Sequence, residues 1–135
     1  MKPLTLTAML CLLAAPAFAE VDLAKGEADF KRCKACHTIE APDGTVVQKG
    51  GKIGPNLWGV IGRPVAGVAD FKYGAAMIAA GATGLIWDEA MLLAYITDPT
   101  GWLKEQTRDA SAVAKMTFKM ATGGEHIVAY LATIK

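Results

Sequence analysis

The sequence is poor in the features that mark several classes of protein. Its 135 residues include only two histidines and three cysteines, and 14 basic residues nearly balance 13 acidic ones, for a net charge of +1. Without a basic excess, a nucleic-acid-binding protein is excluded. Hydrophobic residues make up 53% of the chain and charged residues 20%. This balance excludes a disordered or collagen-like chain and is typical of one globular domain.

Long apolar runs are also missing, apart from one short run near the start of the chain. Lys2 is followed by an apolar run from Leu4 to Leu13 and then by small residues around Phe18. This arrangement is typical of a secretory signal peptide, and the run is too short for a helix that stays in the membrane. We therefore predict a signal peptide over residues 1–19 and a single domain over residues 20–135. An uncleaved anchor is the alternative.

Two cysteines remain in the predicted mature chain, whose 13 basic and 13 acidic residues give a net charge of zero. Cys33 and Cys36 are followed directly by His37. On a helix, these three side chains point to roughly the same side. Each thiol can then add across one vinyl group of a porphyrin while the imidazole reaches the iron. The C-x-x-C-H spacing therefore predicts covalent attachment of one c-type haem.

Two other uses of these residues are less well supported. A disulfide or thioredoxin-like redox pair does not need the histidine, and the redox motif is expected between a strand and a helix, whereas a glycine-rich stretch follows His37. A structural zinc site needs four ligands, and the fourth would have to be the distant His126. Haem attachment is therefore favoured.

Hydrophobic periodicity and capping residues predict helices but no convincing strand. The predicted elements are helices over about 22–36, 71–80 and 88–98, a turn of helix at 102–103, and a last helix that begins after 123–124. The first and last helices are expected to pack together. The segments 38–71 and 107–121 have little periodicity, and irregular segments of this length in a small domain are usually functional. A large apolar cofactor would organise them.

The second axial ligand of a haem iron has few candidates in the mature chain. Met116 and Met120 lie in a loop far from His37 in sequence, so either could approach the opposite haem face. The other candidates are better explained as surface or core residues; they are His126, Met77 and Met91. A methionine thioether favours ferrous iron and raises the reduction potential, which suits a site that passes single electrons.

Further motifs, in order along the chain, resemble those of class I cytochromes c, in particular the bacterial cytochrome c2 and cytochrome c-550 type. They cover essentially the whole mature chain: 25–26, 30, 33–37, 54–57, 62–63, 71–73, 86–87, 95, 116–118 and 129–131. The resemblance implies an all-α cytochrome c fold, in which the N- and C-terminal helices cross and loops wrap around one covalently bound haem.

The resemblance also implies a role for individual residues. Met116 matches the axial methionine opposite His37, and the backbone carbonyl of Pro55 matches the acceptor for the other ring nitrogen of His37. The remaining matches are Arg63, Tyr73 and Trp87 at the haem propionates, Tyr95 beside the axial methionine, and Gly26, Phe30 and Tyr130 at the helix crossing. Met77 departs from the pattern of mitochondrial relatives, which have asparagine there, and the 103–114 segment is longer than theirs.

The function implied by the resemblance is that of a monomeric periplasmic electron carrier rather than an enzyme. The implied donor is a cytochrome bc1 complex, and the implied acceptor is a terminal oxidase or a photosynthetic reaction centre. Contact with these membrane complexes would be peripheral, through lysines near the haem edge: 34, 52, 72, 104, 115 and 119. The alternatives are a dedicated donor to a periplasmic reductase, and a haem peroxidase or sensor with a labile sixth ligand.

Overall fold

The computed structural model describes residues 20–135, so the predicted signal peptide lies outside the described residues. The elements in chain order are α1 (Leu23–Asp29), a 3₁₀ turn (Phe30–Arg32), β1 (Ile39–Glu40), β2 (Val46–Gln48), α2 (Ala75–Ala82), α3 (Glu89–Thr97), α4 (Pro99–Thr107) and α5 (Gly124–Ala132). Among these residues, no helix is long and apolar enough to cross a membrane.

The predicted crossing of the terminal helices is confirmed. Asp22 caps α1 by accepting a hydrogen bond from the backbone N–H of Lys25 at 2.9 Å. Gly26 faces α5 so closely that a Cβ atom there would overlap the backbone carbonyl of His126. Phe30 is fully buried, and its ring centroid lies 6.2 Å from that of Tyr130. The small residue and the aromatic pair together allow α1 and α5 to pack closely.

The first helix is shorter than the predicted 22–36. It becomes a 3₁₀ turn at Phe30, and separate turns carry the chain to Cys36. A later loop is attached to the turns that carry the cysteines: Gly51 N–H donates to the Lys34 carbonyl at 2.8 Å, and Gly54 N–H donates to the Cys36 carbonyl at 2.7 Å. One helical turn survives, because His37 N–H donates to the Cys33 carbonyl at 3.0 Å.

A two-stranded antiparallel sheet, β1 and β2, lies in the segment predicted to be irregular. Strands of two and three residues are too short to show alternation, so the prediction of no strand was wrong here. The Thr38 hydroxyl donates to the Gln48 carbonyl at 3.0 Å. The buried Gln48 amide donates in turn to the Tyr130 hydroxyl at 3.0 Å. These bonds attach the hairpin to α5.

The middle helices differ from the prediction at their ends. The first of them, α2, begins at Ala75 rather than near 71 and continues through Gly81, where the missing side chain lets the Val65 carbonyl approach. Pro99 ends α3 as predicted, but it also stands in the first turn of α4, a full helix rather than a single turn. A proline is tolerated there because the first N–H groups of a helix have no partner within the helix.

Candidate haem site

The turn after α1 carries both cysteines and the histidine. Cys33 and Cys36 are free, partly buried thiols, so no disulfide joins them. Burial raises the pKa of the Cys33 thiol to about 11, which keeps it protonated at neutral pH. Addition of a thiol across a vinyl group places sulfur on one carbon and hydrogen on the other. Two free thiols about one turn apart can each make this addition to one vinyl group.

The His37 ring is oriented by the predicted hydrogen bond. Its Nδ1 lies 2.8 Å from the carbonyl oxygen of Pro55. Since a carbonyl only accepts, Nδ1 carries the proton and donates, which leaves Nε2 with a lone pair for a metal. Burial lowers the pKa of His37, and the charge of Arg63 lowers it further against the opposing effect of the Pro55 bond. The imidazole is therefore neutral at pH 7, as a metal ligand must be.

Gly54 lies in close contact with the His37 ring. A Cβ atom at this position would overlap the ring carbon Cε1 and both ring nitrogens. The Gly54 N–H also donates to the Cys36 carbonyl, so the loop is attached to the turn that carries the cysteines. Gly54 and Pro55 together restrict the orientation of the His37 ring, Gly54 by contact and Pro55 by its hydrogen bond.

Arg63 is a half-buried cation whose hydrogen bonding within residues 20–135 is incomplete. Its Nη1 donates to the carbonyls of Asn56 at 2.9 Å and Trp58 at 3.1 Å. Its Nε is buried without an acceptor in residues 20–135. Burial lowers the pKa of the guanidinium, and no carboxylate contributes to that shift. A buried guanidinium N–H without a partner is costly, so this site favours an added anionic oxygen.

Tyr73 and Trp87 surround the same region. The Tyr73 hydroxyl accepts a hydrogen bond from the Val68 N–H at 3.1 Å, which leaves its own proton to donate elsewhere. Trp87 is only 6% exposed, and its backbone N–H donates to the Arg63 carbonyl at 2.9 Å. The backbone of Trp87 therefore fixes the position of Arg63.

Met116 and Met120 have different environments. Met120 is 2% exposed, and its backbone N–H donates to the Ile96 carbonyl at 2.8 Å, so it is packed in the core beside α3 and α5. Met116 is only partly buried at the edge of that core. Of the two thioethers, that of Met116 is the one left accessible for a ligand role.

Three aromatic side chains form a cluster near this core. Tyr95 lies 5.4 Å from Trp87 and 5.4 Å, edge on, from Trp102, measured between ring centroids. Trp87 and Trp102 stack at 5.1 Å. Burial raises the pKa of Tyr95 to about 12, so its hydroxyl stays protonated. The place of Trp102 in this cluster was not predicted from the sequence, because its helix was expected to be a single turn.

Comparison with known proteins identifies the family, although no protein-family model matches the chain. Cytochrome c2 of Rhodobacter capsulatus is 50% identical over 123 residues, or 91% of this chain and 89% of that protein. Cytochrome c-550 of Paracoccus versutus is 52% identical over 123 residues, or 89% and 80%. The chain belongs to the cytochrome c2 and c-550 family. The structure of ferric Paracoccus versutus cytochrome c-550 matches with a TM-score of 0.83 and 50% identity over 85% of this chain and 98% of that structure.

Membership in this family makes the chain a class I cytochrome c, with the cytochrome c fold and a function in electron transport. Cytochromes c hold a covalently bound haem, and the residues present fit one. Two free thiols stand at the C-x-x-C-H spacing beside a neutral imidazole with a free Nε2. The buried Arg63 Nε, which has no acceptor in the described part of the chain, fits a haem propionate oxygen. Within residues 20–135, no group of three or more His, Cys, Asp or Glu side chains is arranged to hold a metal ion.

Proposed function

We propose that this cytochrome is a periplasmic carrier of single electrons whose one haem c is attached through Cys33 and Cys36 and ligated by His37 and Met116. The observation that carries the proposal is the His37 Nδ1 bond to the Pro55 carbonyl at 2.8 Å, beside two free thiols. It supplies an oriented, neutral imidazole next to the groups that form thioethers. The proposed role is that of a carrier and not of an enzyme.

When bound, the haem supplies an iron that cycles between the ferrous and ferric states. The protein's task is to hold the group still. Pro55 orients the ring of His37, and Arg63, Tyr73 and Trp87 would provide donors and packing for the propionates. Met116 would supply the thioether ligand, and Tyr95 is packed within the adjoining aromatic cluster. Ligands that are oriented in advance keep the reorganisation on electron transfer small.

The proposed donor is a cytochrome bc1 complex, and the proposed acceptor is a terminal oxidase or a photosynthetic reaction centre. The support is family membership together with the predicted export signal. The monomer would touch these complexes only peripherally, through lysines around the haem edge.

The axial ligand is tested by the optical spectrum of the purified ferric protein. We expect the weak long-wavelength charge-transfer band that methionine sulfur produces on ferric haem. Met116→Leu should abolish this band, because leucine has no thioether. Met120→Leu should keep it, because Met120 is packed in the core; the loss of stability from this volume-conserving exchange should stay below about 1.5 kcal/mol.

Two other spectroscopic results would contradict ligation of the iron by Met116. Loss of the band in Met120→Leu but not in Met116→Leu would assign the ligand to Met120. A high-spin parent protein that binds carbon monoxide rapidly when reduced would indicate an open sixth position. The peroxidase or sensor function would then be the better assignment.

Docking through lysines predicts a dependence on salt. Lys119 pairs with Asp98 at 2.7 Å, and Lys115 donates to the Lys72 carbonyl at 3.0 Å, so these two ammonium groups already have partners. Lys52 is exposed in the loop just before Gly54. The rate of electron transfer from a cytochrome bc1 complex should fall as ionic strength rises, because salt screens charge steering. Lys52→Glu should slow transfer at low salt more than Lys135→Glu, which changes the net charge equally. A rate indifferent to salt would contradict docking through lysines.

A further inference from the structure

The side chain of Asn56 makes three hydrogen bonds to backbone groups of other residues. Its side-chain Oδ1 accepts from the Glu40 N–H at 3.1 Å, and its Nδ2 donates to the Glu40 carbonyl at 2.7 Å. The same Oδ1 accepts from the Trp58 N–H at 3.0 Å. One amide side chain therefore pairs with both backbone groups of a β1 residue, as a neighbouring strand would.

These hydrogen bonds connect the segment that follows His37 to the segment that contains Pro55. From His37 the chain runs directly through Thr38 into β1, where Glu40 meets Asn56. Asn56 follows Pro55, whose carbonyl accepts from the His37 ring. Next along the chain, the Leu57 N–H donates to the Thr38 carbonyl at 3.0 Å, which strengthens the same join. The Asn56 side chain is thus one of the contacts that hold the Pro55 carbonyl in place relative to the backbone of His37, beside the backbone bonds of Gly54 and Leu57.

The backbone of Asn56 acts on the second half of the site. Its carbonyl accepts from Arg63 Nη1 at 2.9 Å, and the Trp58 carbonyl accepts from the same nitrogen at 3.1 Å. Asn56 Oδ1 holds the Trp58 N–H, so both carbonyls belong to one turn that the asparagine stabilises. In this orientation the guanidinium Nε has no acceptor among the described residues 20–135.

We propose that Asn56 is a positioning residue that fixes the acceptor of the His37 ring and the orientation of Arg63 together. The proposal rests on the proposed function, in which His37 is an iron ligand and Arg63 faces a propionate. Asn56 does not itself touch the iron. It acts through the Pro55 carbonyl on one side and through its own carbonyl on the other.

The test is the rate at which the His37 Nδ1 proton exchanges with solvent in the ferrous, haem-loaded protein, followed by NMR. Asn56→Leu keeps the approximate volume but removes all three side-chain bonds, so the Pro55 acceptor is held less firmly, by the backbone bonds of Gly54 and Leu57. We expect exchange to be faster by about tenfold or more. Asn56→Asp keeps the two acceptor contacts and loses only the donor to the Glu40 carbonyl, so its effect should lie in the same direction and be smaller.

Gln48→Leu is the matched control. It removes a buried amide from the small sheet that Asn56 also contacts, but the Gln48 side chain donates to Tyr130 and makes no bond to residues 54–58. This variant should lose stability while its His37 proton exchanges at the parental rate. Equal acceleration in Gln48→Leu and the Asn56 variants would overturn the proposal and assign Asn56 a general structural role.

The remaining outcomes are also decisive. Parental exchange in Asn56→Leu would overturn the proposal. If Asn56→Leu does not accumulate, Asn56→Asp decides, with accelerated exchange supporting the proposal and parental exchange overturning it. If the parent protein itself carries no haem, the proposed function is wrong, and the proposal for Asn56 fails with it. The parent spectrum therefore separates the two failures.

Discussion

Replacing Gly26 with valine is expected to lower the free energy of unfolding by at least about 3 kcal/mol. The first added carbon would overlap the backbone carbonyl of His126 and approach the Cβ of Tyr130. Neither obstacle is the free end of a flexible side chain, so α1 and α5 must separate. Separation weakens the packing of Phe30 on Tyr130, and it also strains the Asp22 N–H bond to His126.

The measurement is guanidinium unfolding of the haem-loaded protein, followed by circular dichroism and tryptophan fluorescence. Ala24→Val is the control, because it introduces the same side chain on the same helix at an exposed position. Its cost should be limited to helix propensity, about 0.5 kcal/mol. Equal loss of stability in the two variants would show that the helix crossing tolerates a side chain at Gly26.

The crossing could be predicted from sequence because its signals are local and periodic. A capping aspartate opens α1, and a stripe of Ile127, Tyr130 and Leu131 defines the buried face of α5. The haem motif was equally accessible, since its three residues are neighbours in the chain. For Pro55, Arg63, Tyr73 and Trp87 the prediction depended on the family resemblance, and their roles toward haem remain predictions.

The parts that could not be predicted depend on bonds between distant segments. The Gln48 amide reaches Tyr130 across 82 positions of the chain, and the Asn56 side chain replaces a strand against β1. Neither bond leaves a periodic pattern, and β1 and β2 are too short to show one. The turns after α1 are of the same kind, because the donors that bind their carbonyls belong to Gly51 and Gly54.

The environment of His126 was predicted wrongly for the same reason. It lies off the apolar stripe of α5, which favoured a surface histidine. In the structure it is partly buried, and its Nδ1 accepts from the Asp22 N–H at 3.1 Å where the terminal helices meet. The contact could not be foreseen until the crossing of α1 and α5 was known, because it depends on the angle between the two helices.

Gly54→Ala is expected to lower the affinity of His37 for the haem iron by about tenfold or more, since overpacking of this kind costs about 1–3 kcal/mol. The new methyl group would occupy the place of the ring, so either the imidazole or the Gly54–Pro55 backbone must move. Either movement breaks the hydrogen bond from Nδ1 to Pro55, which in the parent orients the ring.

Acid titration of the ferric spectrum measures this loss. A proton competes with iron for Nε2 of His37, and burial already lowers the pKa of that imidazole, which favours the ligand form. When the ring is held less firmly, protonation displaces it at a higher pH. The low-spin to high-spin transition should therefore move upward by about one pH unit for each tenfold loss of affinity.

Gly44→Ala separates this local effect from a general loss of stability. Gly44 has a φ of 86° in the hairpin turn, and a Cβ there meets nothing within 4 Å. The substitution costs about 1–2 kcal/mol of backbone strain without touching the site. Its acid transition should stay close to that of the parent. If both alanine variants move the transition equally, the shift reports stability alone, and the role of Gly54 in orienting the His37 ring is wrong. A shift confined to Gly54→Ala would tie the pH of ligand loss to the single glycine that packs against the ring.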